Sequence, residues 1–146
     1  MFPSFLILSS VLQQQLIAIS KSRYPHECCA VIFGRIKNYG EKIYEIEQII
    51  EMENFAHSSV EFRIDELELY STIKQGEELG LTLLGIFHSH PDDAYLSSYD
   101  CRTIEKISIL YPNWVWVVYG NQSHSLKAFF FKVKDHFVEL PIKKCI

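Results

Sequence analysis

Apolar and polar residues follow two different spacings along the chain, and together these predict a sheet covered by helices. The run FLIL at residues 5–8 predicts a short strand, and CAVIFGR at residues 29–35 predicts a buried strand ending near a glycine. KIYEIEQII at residues 42–50 alternates well enough to pair with it. LTLLGIF at residues 81–87 and NWVWVVYG at residues 113–120 are apolar on both faces, which is typical of central strands.

Three other stretches carry apolar residues at the spacing of an amphipathic helix. The first is predicted to be capped by Ser10 and to stop near Pro25, because the residue before a proline avoids the helical region. The second is predicted to begin at Asp65 and to be closed by Gly80. The third is predicted from about residue 98 to residue 110.

The remaining patterned segments complete the expected architecture. EFRI at residues 61–64 predicts another short strand, and SLKAFFFKV followed by HFVELPI predicts a closing hairpin around residues 134–135. We therefore expect an α/β (α+β) sandwich, with a mixed sheet of about six to eight strands flanked by three helices. The 146 residues contain no repeat and no linker, so we expect a single domain over residues 1–146.

Composition narrows the class of partner. The net charge is −4 and the pI is about 5.8, so neither nucleic acid nor an anionic membrane is expected to bind. The amino terminus is apolar but lacks a basic leader, and three glutamines at residues 13–15 interrupt it. No apolar run reaches the roughly 18 residues of a spanning helix. We interpret the chain as a cytoplasmic protein.

The cysteines do not suggest a disulfide framework. The chain is not small, and two of the four cysteines are adjacent. Buried thiols acting as small hydrophobic groups are the simpler interpretation. The four residues are Cys28, Cys29, Cys101 and Cys145.

Candidate chemistry lies directly after an apolar strand, in GIFHSHPDDAYLSSYD at residues 85–100. Residues two apart in an extended chain point to the same side, so His88 and His90 can direct one nitrogen each at a common point. Imidazole is a favoured zinc ligand, and Asp100 can supply a third, oxygen ligand. Three protein ligands leave a tetrahedral zinc one open position, which is the arrangement of a catalytic site.

Two further residues can supply what amide hydrolysis requires, a proton acceptor and a donor to the oxyanion. Ser97 stands three residues before Asp100, and Glu27 stands at the mouth of a buried strand. Each residue also has a simpler interpretation. Ser97 and Asp100 fit a helix capping box, Glu27 alone is typical of an exposed carboxylate, and His88 with His90 is also compatible with a surface pair.

These residues carry a family resemblance. HSHP followed by SxxD, with an upstream glutamate ahead of a short apolar strand, resembles the JAMM (MPN-plus) zinc metalloproteases in their minimal prokaryotic type. The flanking segments YPHECC, ELGLTLLGIFHSHP and YPNWVWVV lie where that family has its matching elements, so the resemblance covers roughly residues 6–119. It implies the MPN fold, a sandwich similar to that of cytidine deaminase.

The resemblance also implies a role for each site residue. His88, His90 and Asp100 look like the ligands of one zinc ion (Zn2+) per chain. Ser97 looks like the serine that stabilises the oxyanion, and Glu27 looks like the residue that activates the water. All five positions match the pattern of the family at once, which makes the motif specific.

Two departures from the family pattern bear on these roles. Six residues separate His90 from Ser97 where the family usually has seven, and we expect the deletion to be absorbed at residues 92–93. Ser98 is the alternative oxyanion donor. Ala30 stands where the family commonly has glycine, and its extra methyl group could shift the packing near the metal slightly.

The implied activity is hydrolysis of a peptide or isopeptide bond after the carboxyl-terminal tail of a protein. The implied substrate is a ubiquitin-like or sulfur-carrier protein of the β-grasp class. By hypothesis, the tail pairs with a strand edge at residues 54–62. The sequence allows a monomer or a homodimer, and it assigns no role to His57, His124 or His136.

Three alternatives stay open at this point. One is a catalytically inactive MPN scaffold, although all five functional residues are present. Another is a non-peptidase zinc hydrolase such as a nucleobase deaminase, although the chain has no CxxC motif. The third is a nucleophilic Cys28 or Cys29, which would need a nearby base and an electropositive setting.

Overall fold

A computed structural model describes residues 2–145, and over that range it contains three helices and eight strands. The helices are α1 (Ser10–Arg23), α2 (Glu66–Glu78) and α3 (Ser98–Leu110). The strands are β1 (Phe5–Ile7), β2 (Cys29–Asn38), β3 (Lys42–Met52), β4 (Thr82–His90), β5 (Val115–Gly120), β6 (Ser125–Val133), β7 (His136–Leu140) and β8 (Ile142–Lys143).

All eight strands form one mixed sheet, in the order β7-β6-β5-β4-β2-β3-β1-β8. β4 is central, because it pairs antiparallel with β2 and parallel with β5. The parallel pair requires a crossover, and α3 supplies it. The expected mixed α/β architecture is confirmed.

Each face of the sheet has its own core. Apolar residues of α1, including Leu16, pack on one face, and apolar residues of α2 and α3, including Ile104, pack on the other. Gly85 lets β4 and β5 approach closely, because a Cβ atom there would lie 1.9 Å from the carbonyl oxygen of Val115. The register of β4 against β2 also shifts at this point. The alternation of side chains between the two faces of the sheet is therefore interrupted, since Leu84 packs on the α1 face and Ile86 packs on the other face.

Two helices begin where the sequence predicts, α2 after Asp65 and α3 at Ser98, and the start of α1 differs by one residue. Asp65 caps α2 by accepting from the N–H of Glu68, as predicted. At α1 the capping side chain is that of Ser9, and Ser10 is the first helical residue, so the predicted cap was one residue off.

Among residues 2–145, no helix combines the length and the apolar character needed to span a bilayer.

The strand predicted at residues 61–64 is wrong. Residues 53–65 form neither a helix nor a strand. The side chain of Asn54 accepts hydrogen bonds from the N–H groups of Ala56 and Arg63, and such local bonds compete with a sheet ladder. The closing hairpin is confirmed, with its turn at residues 134–135 between β6 and β7.

Candidate metal centre

Two histidines lie on one face of the C-terminal end of β4. His88 and His90 follow Ile86 onto the face that α2 and α3 cover, because residues two apart on a strand share a side. Their exposed fractions are 0% and 3%. β2 and β5 pair with this part of β4 on either side, so a rigid element presents the imidazoles.

Asp100 completes a cluster with both rings from the first turn of α3. Its Oδ2 atom lies 3.1 Å from Nε2 of His88 and 2.8 Å from Nε2 of His90. The same oxygen accepts a hydrogen bond from the N–H of Ser97, and the N–H of Asp100 donates to Oγ of Ser97. The capping role of these two residues is therefore compatible with a metal site, since the capping box directs the carboxylate of Asp100 toward the histidines.

Glu27 lies immediately before β2 and is 1% exposed, so it is not the exposed carboxylate that its isolated sequence context suggests. Its Oε2 atom lies 3.0 Å from Nδ1 of His90, a close ionic contact. Ligand atoms of Glu27, His88, His90 and Asp100 all lie within 4.8 Å of one another. Three separate parts of the chain thus meet at one buried point.

The charges of the cluster shift one another's pKa values. Burial opposes the charged imidazolium of His90, but Asp100 and Glu27 outweigh it and raise the pKa of His90 to about 10. Burial also opposes the carboxylate of Asp100, but His88 and His90 hold its pKa well below the usual range. For Glu27, burial dominates and raises the pKa, while the imidazoles partly offset the shift.

The unsatisfied carboxylate oxygens of the cluster fit a bound cation. Buried polar atoms normally have hydrogen-bond partners. Within residues 2–145, Oε1 of Glu27, Oδ1 of Asp100 and Nδ1 of His88 have none, and Oε2 of Glu27 has only its contact with His90. Two imidazole nitrogens and a carboxylate oxygen are ligands that zinc prefers, and their spacing is close to the edge of about 3.3 Å in a tetrahedron with zinc–ligand distances of about 2.0–2.1 Å.

Comparison with solved structures supports the fold. The chain is similar to the solution structure of protein DSY2949 from Desulfitobacterium hafniense, with a TM-score of 0.79 and 23% sequence identity. The match covers 94% of this chain and 91% of that one. At this identity the likeness establishes a common fold.

Comparison with family profiles decides the family. Residues 9–132 match the profile of Prok-JAB, the prokaryotic homologs of the JAB domain. The chain belongs to the Prok-JAB family. The resemblance inferred from HSHP and SxxD is thereby confirmed at the level of the family. No curated protein matches the chain.

The serine predicted to hold the oxyanion lies at the rim of the cluster of this Prok-JAB chain. Ser97 is half-buried, and its Oγ atom accepts from the N–H of Asp100. Ser98 is exposed at the first helical position. The geometry thus favours Ser97 over Ser98.

The shortened ligand loop does not separate the site residues. The turn between β5 and β6 holds it, since the N–H of Asn121 donates to the carbonyl of His90 and two N–H groups of the turn donate to the carbonyl of Asp92. Gly120 allows this contact, because a Cβ atom there would lie 2.5 Å from the main chain of Asp93. The extra methyl of Ala30 packs with the core on the α1 face, away from the histidines.

Aromatic contacts to the histidines were missed by sequence reasoning. The ring of Phe62 stacks on His88 at 4.5 Å, and the ring of Tyr95 stacks on His90 at 4.8 Å. Tyr95 lies within the quoted motif, two residues before Ser97, so an aromatic residue in the ligand loop was a usable signal. Phe62 gave no comparable signal, because it was assigned to a strand that does not form.

The three histidines left without a role are exposed, and His57 lines the same cavity as Glu27. His57 and His124 are exposed and have the positive φ values of turns, 45° and 56°, and His136 is exposed at the start of β7. Cys28 and Cys29 are buried, and burial raises the pKa of both thiols. A raised pKa disfavours the thiolate, so neither is an activated nucleophile.

Proposed function

We propose that this Prok-JAB chain is a zinc-dependent peptidase of the isopeptidase type. The observation that supports this most directly is the meeting of four buried side chains, Glu27, His88, His90 and Asp100, whose ligand atoms all lie within 4.8 Å of one another. His88, His90 and Asp100 would hold the ion, and Glu27 would stand beside it. When bound, zinc polarises a carbonyl group and lowers the pKa of a coordinated water.

Glu27 moves the proton that amide hydrolysis requires. Its carboxylate accepts a proton from the attacking water as the water oxygen bonds to the carbonyl carbon. It then donates that proton to the leaving nitrogen as the C–N bond breaks, so the proton count balances. Burial raises the pKa of Glu27, which makes its carboxylate a stronger base toward the proton of the water.

Ser97 stabilises the oxyanion that forms in between. Its oxygen is held by the N–H of Asp100, which places the hydroxyl group beside the cluster. A preorganised donor of this kind is usually worth more than one that must reorient. Its half-buried position allows contact with a substrate.

The substrate we propose is the carboxyl-terminal tail of a ubiquitin-like or sulfur-carrier protein of the β-grasp class. The family to which the chain belongs supports this class. The hypothesis of a strand edge at residues 54–62 has no support from the fold, since five N–H groups of residues 54–63 bond to acceptors within that segment. We therefore keep the substrate class and not that edge.

The test uses a fluorogenic reporter, in which a β-grasp sulfur-carrier protein forms an amide with a fluorogenic amine through its C-terminal carboxyl. The zinc-loaded wild type is compared with Glu27→Gln. We expect the variant to keep its zinc and to lose about 10²–10⁴-fold in kcat, the range of general acid–base catalysis. Loss of zinc would assign Glu27 to the metal, and unchanged kcat would remove it from the mechanism.

A further inference from the structure

Asn54 lies just beyond β3, and its side-chain amide uses all of its hydrogen-bonding positions. Nδ2 donates to the carbonyl oxygens of Glu27 and Glu61, at 2.9 and 3.0 Å. Oδ1 accepts from the N–H groups of Ala56 and Arg63, at 3.0 and 2.9 Å. An asparagine amide offers two donor hydrogens and two lone pairs, so the side chain is satisfied. These four bonds organise a segment that is neither helix nor strand.

Glu27 depends on this segment for the position of its main chain. It precedes the start of β2, and the bonds to β4 begin only at the next residue, Cys28, which pairs with Ser89. Its N–H donates to the carbonyl of Ser58 at 2.7 Å, and its carbonyl accepts from Asn54. Its Oε2 atom contacts only Nδ1 of His90, at 3.0 Å, and Oε1 has no partner within residues 2–145. The main chain therefore sets the point from which the carboxylate reaches His90.

The same amide also fixes Phe62, because its bonds to Glu61 and Arg63 lie on either side of that residue. Phe62 stacks on His88 with an interplanar angle of 24°. Histidines that bind metals usually donate a hydrogen bond through their second nitrogen, but Nδ1 of His88 has no partner in the described part of the chain. Ring stacking thus takes over the orienting role at His88.

We propose that Asn54 is a positioning residue that sets the Glu27 carboxylate relative to His88. The proposal rests on the proposed function for the role of Glu27. Asn54 acts through the main chain and through Phe62, and it touches no reacting atom. Asn54→Asp isolates this role, because the carboxylate keeps the two acceptor positions and loses the two donors.

The experiment compares wild type with Asn54→Asp, each loaded with Co²⁺ in place of zinc. The visible absorption of Co²⁺ reports the geometry of its ligands without any substrate. We expect the variant to change this spectrum. On the fluorogenic reporter with zinc, we expect kcat to fall by about 10²-fold, the cost of a misplacement of about 1 Å, with little change in KM.

Two control variants separate positioning from charge and from stability. Asn38→Asp makes the same substitution at the exposed end of β2, and Leu84→Ala removes a buried side chain from the other half of β4. Both are expected to keep the spectrum and the kcat of the wild type once folded. A wild-type spectrum and kcat in Asn54→Asp would overturn the proposal, and so would an equal fall of kcat in Leu84→Ala.

A measurement on the wild type decides the question even if Asn54→Asp does not fold. Amide hydrogen exchange is expected to show protection at the N–H groups of Glu27 and Arg63, with similar rates, because Glu27 donates to Ser58 and Arg63 donates to Asn54 within the segment that Asn54 organises. Exchange at the rate of a free amide would overturn the proposal. If the wild type cleaves no reporter, the proposed function fails, whereas the Co²⁺ spectrum and the exchange rates still decide the role of Asn54.

Discussion

The two halves of β4 are both buried, but burial of the first half stabilises the fold, whereas burial of the second half costs free energy. Residues 83–86 are apolar and pack against both cores, and burial of one such side chain stabilises by about 1.5–3 kcal/mol. His88 and His90 lie on the same strand, and they bring polar atoms into a buried environment. Buried polar groups cost free energy unless they are partnered. Stability is thus concentrated in one half of the strand, and chemistry in the other.

This contrast implies that the two halves respond differently to substitution. Changes in the apolar half should lower the free energy of unfolding and leave the chemistry of folded molecules intact. Changes in the polar half should remove function at little cost to stability, because sites that hold unsatisfied groups are often destabilising in themselves. The predictions below test this contrast, in order of the expected effect.

The largest effect is expected from His90→Ala in the polar half. The variant should lose both zinc binding and peptidase activity, because one of the three ligands is gone. In the wild type, zinc at about 100 times its Kd should add about 2.7 kcal/mol of stability, because the ion binds only the folded chain. For a chain of this size that corresponds to a rise in Tm of about 5–10 °C.

Thermal unfolding with and without zinc measures this rise, and His90→Ala should show none. His136→Ala is the matched control, since His136 is exposed on β7, away from the cluster. It should show the full rise in Tm. An undiminished rise in His90→Ala would place the zinc at another site.

The next effect is expected from Ser97→Gly, which separates two roles of one side chain. Glycine is tolerated at a helix N-cap at a cost of a few tenths of a kcal/mol, so α3 should persist. The hydroxyl is lost, and removal of one oxyanion donor costs about 10²–10³-fold in kcat. Steady-state kinetics on the fluorogenic reporter measure the fall.

Asp65→Gly is the control for Ser97→Gly, because Asp65 caps α2 in the same way without facing the cluster. It should match the loss in stability and keep the kcat of the wild type. Equal losses of kcat in the two variants would show that capping accounts for the effect, and Ser97 would then have no part in the reaction.

A smaller effect on catalysis and a larger one on folding are expected from Gly85→Ala in the apolar half. The added Cβ atom meets the carbonyl of Val115, and overpacking of this kind costs about 1–3 kcal/mol. Urea unfolding measures the loss, and the folded fraction should keep its kcat. Ala30→Gly on the neighbouring strand should cost less, about 0.5–1 kcal/mol. Equal stability of Gly85→Ala and wild type would contradict the close approach of β4 and β5.

The same contrast explains what the sequence could predict. The apolar half of the sheet follows a regular period, so β2, β3, β4 and β5 were all predicted close to their observed positions. The meeting of His88, His90 and Asp100 was predictable because two strand positions and one helix turn fix their spacing. The segment at residues 53–65 was not, because side-chain bonds of Asn54 and not a period determine its path. β8 was also missed as a separate strand, since its two residues follow Pro141 and pair with β1 at long range.

The smallest effect is expected from Cys28→Ala. Cys28 follows Glu27 in the sequence, but its side chain lies on the opposite face of the sheet. Its side chain packs in the α1 core, 3.8 Å from Oγ of Ser20, and burial raises the pKa of its thiol. Loss of the sulfur should cost about 1 kcal/mol, as for other small truncations in a core. Because the thiol has no part in the reaction, kcat and the zinc content should match those of the wild type, as measured by reporter kinetics and metal analysis. A large fall in kcat with zinc still bound would restore the thiol as a nucleophile. It would mean that Cys28 and Glu27 take part in the same reaction although their side chains lie on opposite faces of the sheet.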